Sequence, residues 1–317
     1  MKITVLERNS VGEDIDISSF GDFGELVTYP VTKDEVAERI ADADIVVVNK
    51  ARITAEALEK APNVKMIQEF ATGYDNIDIE ACKTRGIAVA NVSGYSTDSV
   101  AQHTFAMALS LVEKLPWYDG YVKSGEYSGQ PNFSNFEKSY DELSSMTWGI
   151  IGMGAIGQRV AKIASAFGCR VIFHSITGTS KVTEYERVSL DELLASSDIL
   201  SLHCPLSDKT RHLINDETLS KMKKEAVLIN VARGAVVDTS ALARALDEGI
   251  IQAAGLDVYE KEPLAGDSPL LKVKYPERLI MTPHMAWGSV QARMRLVQEA
   301  YANIDAFLKG GQRNRIV

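Results

Sequence analysis

Short apolar runs rich in Val and Ile alternate with amphipathic stretches along nearly the whole chain. Neighbouring parallel strands need a crossover long enough to hold a helix, so this alternation restricts the chain to α/β architecture with parallel sheets. "KITVLE", "DIVVVNK" and "VKMIQEF" are expected strands of a first series closed by "GIAVANV", with helices at "TKDEVAERIAD" and "TAEALEKA". A long apolar helix capped at Thr97 follows, "TDSVAQHTFAMALSLVEK". A second series begins at "TWGIIGMG" and continues through "RVIFHS", "DILSLHC", "AVLINVA", "IIQAAGLDV" and "RLIMTPH". "SVQARMRLVQEAYANIDAFLKG" is a final helix stopped by Gly310 and Gly311. Tyr127 to Met146 is the most loop-like stretch. Two such series in 317 residues imply two domains.

A net charge of -9 leaves nothing basic to neutralise phosphates, which argues against a nucleic-acid partner or an anionic membrane surface. No apolar run reaches the ~20 residues of a membrane span, and the N-terminus reads as a strand rather than a signal peptide. Cys82, Cys169 and Cys204 sit in or beside apolar runs without metal-ligand or CxxC spacing. Buried free thiols, no metal and a cytoplasmic address are the expectation.

"WGIIGMGAIGQRVAKIA" places Gly152, Gly154 and Gly157 directly after an apolar strand and before a helix. That frame suits a tight turn, close backbone approach to a pyrophosphate and close helix–strand contact. The rival reading is a turn that merely needs glycines. An acidic residue is expected about 20 residues on, to accept from the adenosine ribose. Ser175 occupies that place, within "VIFHSITGTSK".

Three ionisable residues end successive expected strands, where open parallel sheets bind ligands. Arg233 follows "LINVA", Glu262 lies in "LDVYEKEPL" and His284 ends "LIMTPH". Arg binds carboxylates bidentately, and His exchanges protons near neutral pH with its charged form favoured by a nearby Glu. Singly, each is as well explained as a surface Arg, a solvated Glu or a capping His. Together, beside a dinucleotide turn, they suggest a site. Among the other histidines, His203 is the rival acid–base. His103 is expected to pack inside its helix, and His174 and His212 have no carboxylate partner at a suggestive position.

The chain resembles the D-2-hydroxyacid dehydrogenase family through "ATGYDNID", "NVSGYSTDSVAQHTFAMAL", "GIIGMGAIG", "SLHCPLSDKTRHLIN", "LINVARGAVVD", "GLDVYEKEPL" and "TPHMAW", spread over more than 200 residues. The resemblance implies a Rossmann NAD(P)-binding domain, residues 99–285, inserted into a discontinuous flavodoxin-like substrate domain, residues 1–98 and 286–317. It also implies a homodimer to which the helix from Thr97 contributes. It makes Arg233, Glu262 and His284 catalytic, with Arg233 on the substrate carboxylate and keto oxygen and His284 as acid–base. Thr72, Gly73, Tyr74 and Trp287 would border the substrate, although Trp287 could instead pack beneath the last helix. Ala155, Ile156, Cys204, Pro205, Thr210, Val231, Ala232 and Asp257 would join the three glycines, Ser175, Arg233 and His284 around NAD or NADP. The motifs are most similar to glycerate dehydrogenases (hydroxypyruvate reductases), with D-lactate or bulkier D-2-hydroxyacid dehydrogenases as the alternative. C-terminal binding protein corepressors share the architecture, so a dinucleotide-sensing binding protein is the alternative of a different class.

Overall fold

Residues 1–317 are described by a computed structural model, in which the chain divides into two units, Met1–Ser96 with Gly288–Val317, and Thr97–Trp287. The first contains β1 (Lys2–Val5), β2 (Glu25–Thr28), α1 (Val36–Ile40), β3 (Ile45–Val48), α2 (Ala55–Glu59), β4 (Met66–Glu69), α3 (Ile79–Arg85) and β5 (Ala88–Ala90). Its five strands are all parallel, in the order β2-β1-β3-β4-β5. β3 and β4 are fully buried, as expected for central strands covered on both faces. Two elements were not anticipated. β2, at the sheet edge, is half-exposed and carries no alternation; α3 is announced only by the Asp78 cap and by Gly86 in the left-handed region.

The second unit contains α4 (Thr97–Val112), α5 (Leu115–Lys123), α6 (Glu126–Gly129), β6 (Thr147–Ile151), α7 (Ala155–Ala166), β7 (Arg170–His174), β8 (Glu186–Arg187), α8 (Leu190–Ser196), β9 (Ile199–Leu202), α9 (Asp216–Ser220), β10 (Val227–Asn230), α10 (Thr239–Glu248), β11 (Ala253–Leu256) and β12 (Leu279–Met281). The sheet order is β12-β11-β10-β9-β6-β7-β8, again parallel throughout. Strand order reverses between β6 and β9, the switch point where doubly wound sheets take ligands. Thr97 is the first residue of α4 rather than its cap. α4 buries Val100, Phe105, Met107 and Leu111 against the face of the sheet that carries Trp148. Its apolar breadth is therefore used inside this unit.

The final helix, α11 (Val290–Leu308), belongs to the first unit and buries Leu296, Ala300 and Ile304. Ser289 caps it, and Gly310 and Gly311 close it through N–H bonds to Phe307 and Ala306. Beyond it the chain returns to β5. The Ile316 N–H donates to the Val89 carbonyl and the Val89 N–H to the Val317 carbonyl, while Asn303 Nδ2 donates to the Asn91 carbonyl at 2.9 Å. The three cysteines are buried and unpaired. No helix is long and apolar enough to cross a membrane.

Candidate active site

β6 runs into Gly152, whose φ of +95° is one that L side chains rarely adopt. A Cβ there would stand 2.7 Å from the backbone of His203 and Cys204, and one at Gly157 would overlap the Gly152 carbonyl. Strand, turn and helix are thus in direct backbone contact. Gly154 differs: nothing lies within 4 Å of where its Cβ would be. It precedes α7 with no side-chain cap, so the N–H groups of Ala155, Ile156 and Gly157 have no intrahelical acceptor and sit at the positive end of the helix dipole. An open cradle with unclaimed donors fits a pyrophosphate. On the neighbouring strand end, Cys204 is buried and Pro205 exposed. The Thr210 hydroxyl donates to the Pro205 carbonyl at 2.7 Å and accepts from the Ser207 N–H, so it builds this loop rather than offering a free donor.

The loop after β7 turns at Ser175, whose carbonyl accepts from the Gly178 N–H. The Thr177 and Thr179 hydroxyls bond each other at 2.7 Å. His174 Nδ1 engages the Val188 carbonyl, tying the end of β7 to the segment after β8. Sequence reasoning missed a cation anchored to this loop. Arg187, on the two-residue strand β8, donates from Nη1 to the Gly178 carbonyl at 2.8 Å, and no acidic side chain pairs with it. Its neighbour Glu186 is engaged by Arg170 instead.

β10 ends at Asn230, a fully buried carboxamide that shapes the next turn. Its Oδ1 accepts from the Ala232 N–H and its Nδ2 donates to the Arg233 carbonyl, each at 3.0 Å. Val231 and Ala232 are buried beneath the turn. Arg233 is half-buried, with Nη1 on the Ala232 carbonyl at 2.8 Å and no carboxylate partner. A Cβ at Gly234 would overlap the backbone of Tyr259 and Glu260, so the Arg233 turn presses directly on the loop that carries Glu262. Glu262 accepts from the Tyr259 N–H at 3.0 Å through one oxygen and meets His284 Nδ1 at 2.7 Å through the other. His284 Nε2 is left to exchange a proton. Trp287 packs half-buried against the core around Trp148.

Buried Asp257 holds the turn that carries His284. Its Oδ1 accepts from Thr282 Oγ1 at 2.6 Å and from the Met285 N–H at 2.8 Å, and its Oδ2 from the Ala286 N–H at 2.8 Å. His203 fails as the rival acid–base: its buried Nε2 has no partner, and burial pushes its pKa down to about 3, so the ring is neutral at physiological pH. His212 corrects the sequence reading. The chain turns there through a φ of +49°, and its Nε2 meets Glu260 Oε2 at 2.9 Å. Glu260 also accepts from the Thr239 N–H, so this pair fastens the Glu262 loop to the start of α10.

In the first unit, Thr72, Gly73 and Tyr74 follow β4. The Thr72 hydroxyl donates to the Val92 carbonyl, and Asn91 Nδ2 to the Thr72 carbonyl. The Gly73 and Tyr74 N–H groups have no acceptor within the chain.

Residues 105–286 match the family model "D-isomer specific 2-hydroxyacid dehydrogenase, NAD binding domain". The whole chain is similar to a hydroxypyruvate reductase of Blautia hydrogenotrophica, 38% identical over 99% of both chains. A glyoxylate reductase of Aeropyrum pernix is 41% identical over 82% of this chain and 78% of its own. Among solved structures, an acyclic imino acid reductase in complex with NADPH and D-Arg superposes with a TM-score of 0.89 at 31% identity, covering all of both chains. These likenesses support an enzyme and lend nothing to the corepressor alternative.

Proposed function

The chain belongs to the D-isomer-specific 2-hydroxyacid dehydrogenases, and from that premise we propose that it reduces hydroxypyruvate and glyoxylate to D-glycerate and glycolate. The observation that carries this reading is the 2.7 Å His284–Glu262 contact beside an arginine that no acid neutralises. A half-buried guanidinium without a counter-ion suits a substrate carboxylate, and its fork also reaches the keto oxygen. Within the first unit, the unclaimed N–H groups of Gly73 and Tyr74 also suit a carboxylate.

When bound, the reduced nicotinamide supplies the hydride. Gly152, Gly154 and Gly157, with the N–H groups of Ala155 and Ile156, would hold the pyrophosphate, and Val231, Ala232 and Asp257 would border the nicotinamide end. Arg233 orients the keto acid and draws electron density to its oxygen. With Nδ1–H held by Glu262, the doubly protonated ring of His284 donates from Nε2–H and protonates the developing alkoxide, leaving the ring neutral. Oxidation reverses this, with neutral His284 as base. Both NADH and NADPH serve, because Ser175 offers no charge against a 2′-phosphate. The enzyme acts in the cytoplasm as a dimer, for which the exposed Leu115, Val122, Tyr127, Phe133, Phe136 and Tyr140 supply an apolar surface.

The test is cofactor oxidation against a panel of 2-keto acids. Hydroxypyruvate or glyoxylate should give the highest kcat/KM. Arg233→Ala should lower it by at least ~100-fold, and His284→Ala should lower kcat with cofactor Kd retained. Near-normal turnover in His284→Ala removes the acid–base assignment.

A further inference from the structure

α4 carries His103 on its buried side, its ring 17% exposed. Its Nε2 lies 2.9 Å from Thr282 Oγ1 and 3.7 Å from Asp257 Oδ1. The single hydroxyl proton of Thr282 goes to Asp257 at 2.6 Å, so the hydroxyl can only accept from His103. Nε2 must therefore bear a proton, which fixes the tautomer.

The order of these groups is informative. Asp257 also accepts from the N–H groups of Met285 and Ala286, and its carbonyl accepts from the His284 N–H at 2.8 Å. Between those bonds, His284 is held at a φ of +52°, a conformation that non-glycine residues rarely adopt. The catalytic turn is wrapped around one carboxylate. That carboxylate is oriented by a hydroxyl, and the hydroxyl is oriented by a ring on a helix packed into the core.

We propose that His103 is a positioning residue for the reaction: through Thr282 and Asp257 it sets the orientation of the turn that presents His284. This rests on His284 being the acid–base. His103 touches neither substrate nor the reacting atoms, and it differs from an ordinary packed residue in acting through a specific proton.

The test compares His103→Leu, His103→Gln, Thr282→Val and the Leu/Val double variant in the full-length protein. His103→Leu should lower kcat by roughly 10-fold with KM for hydroxypyruvate nearly unchanged. Thr282→Val should do the same, and the double variant should be no worse than either, because both cut one chain of bonds. His103→Gln, which keeps a donor, should recover most of the rate. The nitrogen-15 chemical shifts of the His284 ring at one fixed pH, read without cofactor or substrate, should change alike in His103→Leu and Thr282→Val as the contact with Glu262 loosens. Additive losses, or a lower Tm with the His284 ring shifts and kcat unchanged, would overturn the proposal and make His103 a packing residue. If the unmodified protein reduces no keto acid, the functional reading falls, whereas the His284 ring shifts still decide this one.

Discussion

At the scale of single residues, the groups proposed as catalytic stood out because chemistry and position coincide: Arg233, Glu262 and His284 each follow an apolar run at a strand end. What holds them was not. Asn230, Thr282 and Glu260 act through bonds to distant backbone, and nothing in their local sequence distinguishes them from ordinary polar residues. Glu69 is another such residue. It ends β4 just before the Thr72–Tyr74 loop and is fully buried, with Oε2 accepting from Asn76 Nδ2 at 3.1 Å and Oε1 unpartnered. Burial pushes its pKa up to about 9, against the pull of Asn76 and Lys50. The folded chain therefore keeps this proton across a range where the unfolded chain, near 4.5, has lost it. The contribution is fully present below pH 4.5 and declines as pH rises towards 9, by at most about 1.4 kcal/mol per pH unit. Glu69→Gln should flatten the fall. Its Tm should gain on the parent between pH 5 and pH 8, and parallel Tm curves would mean that Glu69 ionises normally.

Among the elements, long periodic segments were legible and short edge pieces were not. β6, α7, β9, β10 and α10 carry their own apolar patterns, whereas β2 and β8 exist only because a neighbouring strand offers hydrogen bonds. Missing β8 meant missing Arg187, which lies twelve residues beyond Ser175 and yet bonds the Gly178 carbonyl. This arginine changes the account of the loop. Where "VIFHSITGTSK" offers only Lys181, β8 adds a guanidinium fork to the neutral Ser175, a stronger phosphate partner than an ammonium. Ser175→Asp should cut NADPH efficiency by several-fold or more and leave NADH efficiency nearly unchanged. Arg187→Gln should weaken NADPH binding without weakening NADH, read by quenching of protein fluorescence. Strict NADH use by the unmodified protein would show that another feature rejects the phosphate.

For the molecule as a whole, the alternation of strands and helices was enough to anticipate two parallel sheets. It marked Tyr127 to Met146 as loop-like but gave no sign of α5 or of how exposed the aromatic residues of that loop are. α5 and α6 bury none of their residues, and Phe133 and Phe136 are 92% and 82% exposed. A surface this apolar calls for a partner, and a second copy is the proposed one. Phe133→Ser with Phe136→Ser should shift the scattering mass from two chains to one at micromolar concentration while the far-UV spectrum is kept. An unchanged mass would place the contact elsewhere.

The return of the last helix to the first unit has a consequence for biosynthesis. Residues 1–96 leave the ribosome without α11 and without the terminal residues that bond to β5. At about 5–20 residues per second, the whole second unit takes on the order of ten seconds or longer to be made before that helix emerges. During this interval the nascent first unit carries an open strand edge and the uncovered groove of α11, while the nucleotide-binding unit can already close on itself. The later-made half of the protein is thus the earlier to be complete, and the half that begins the chain depends longest on whatever shields it.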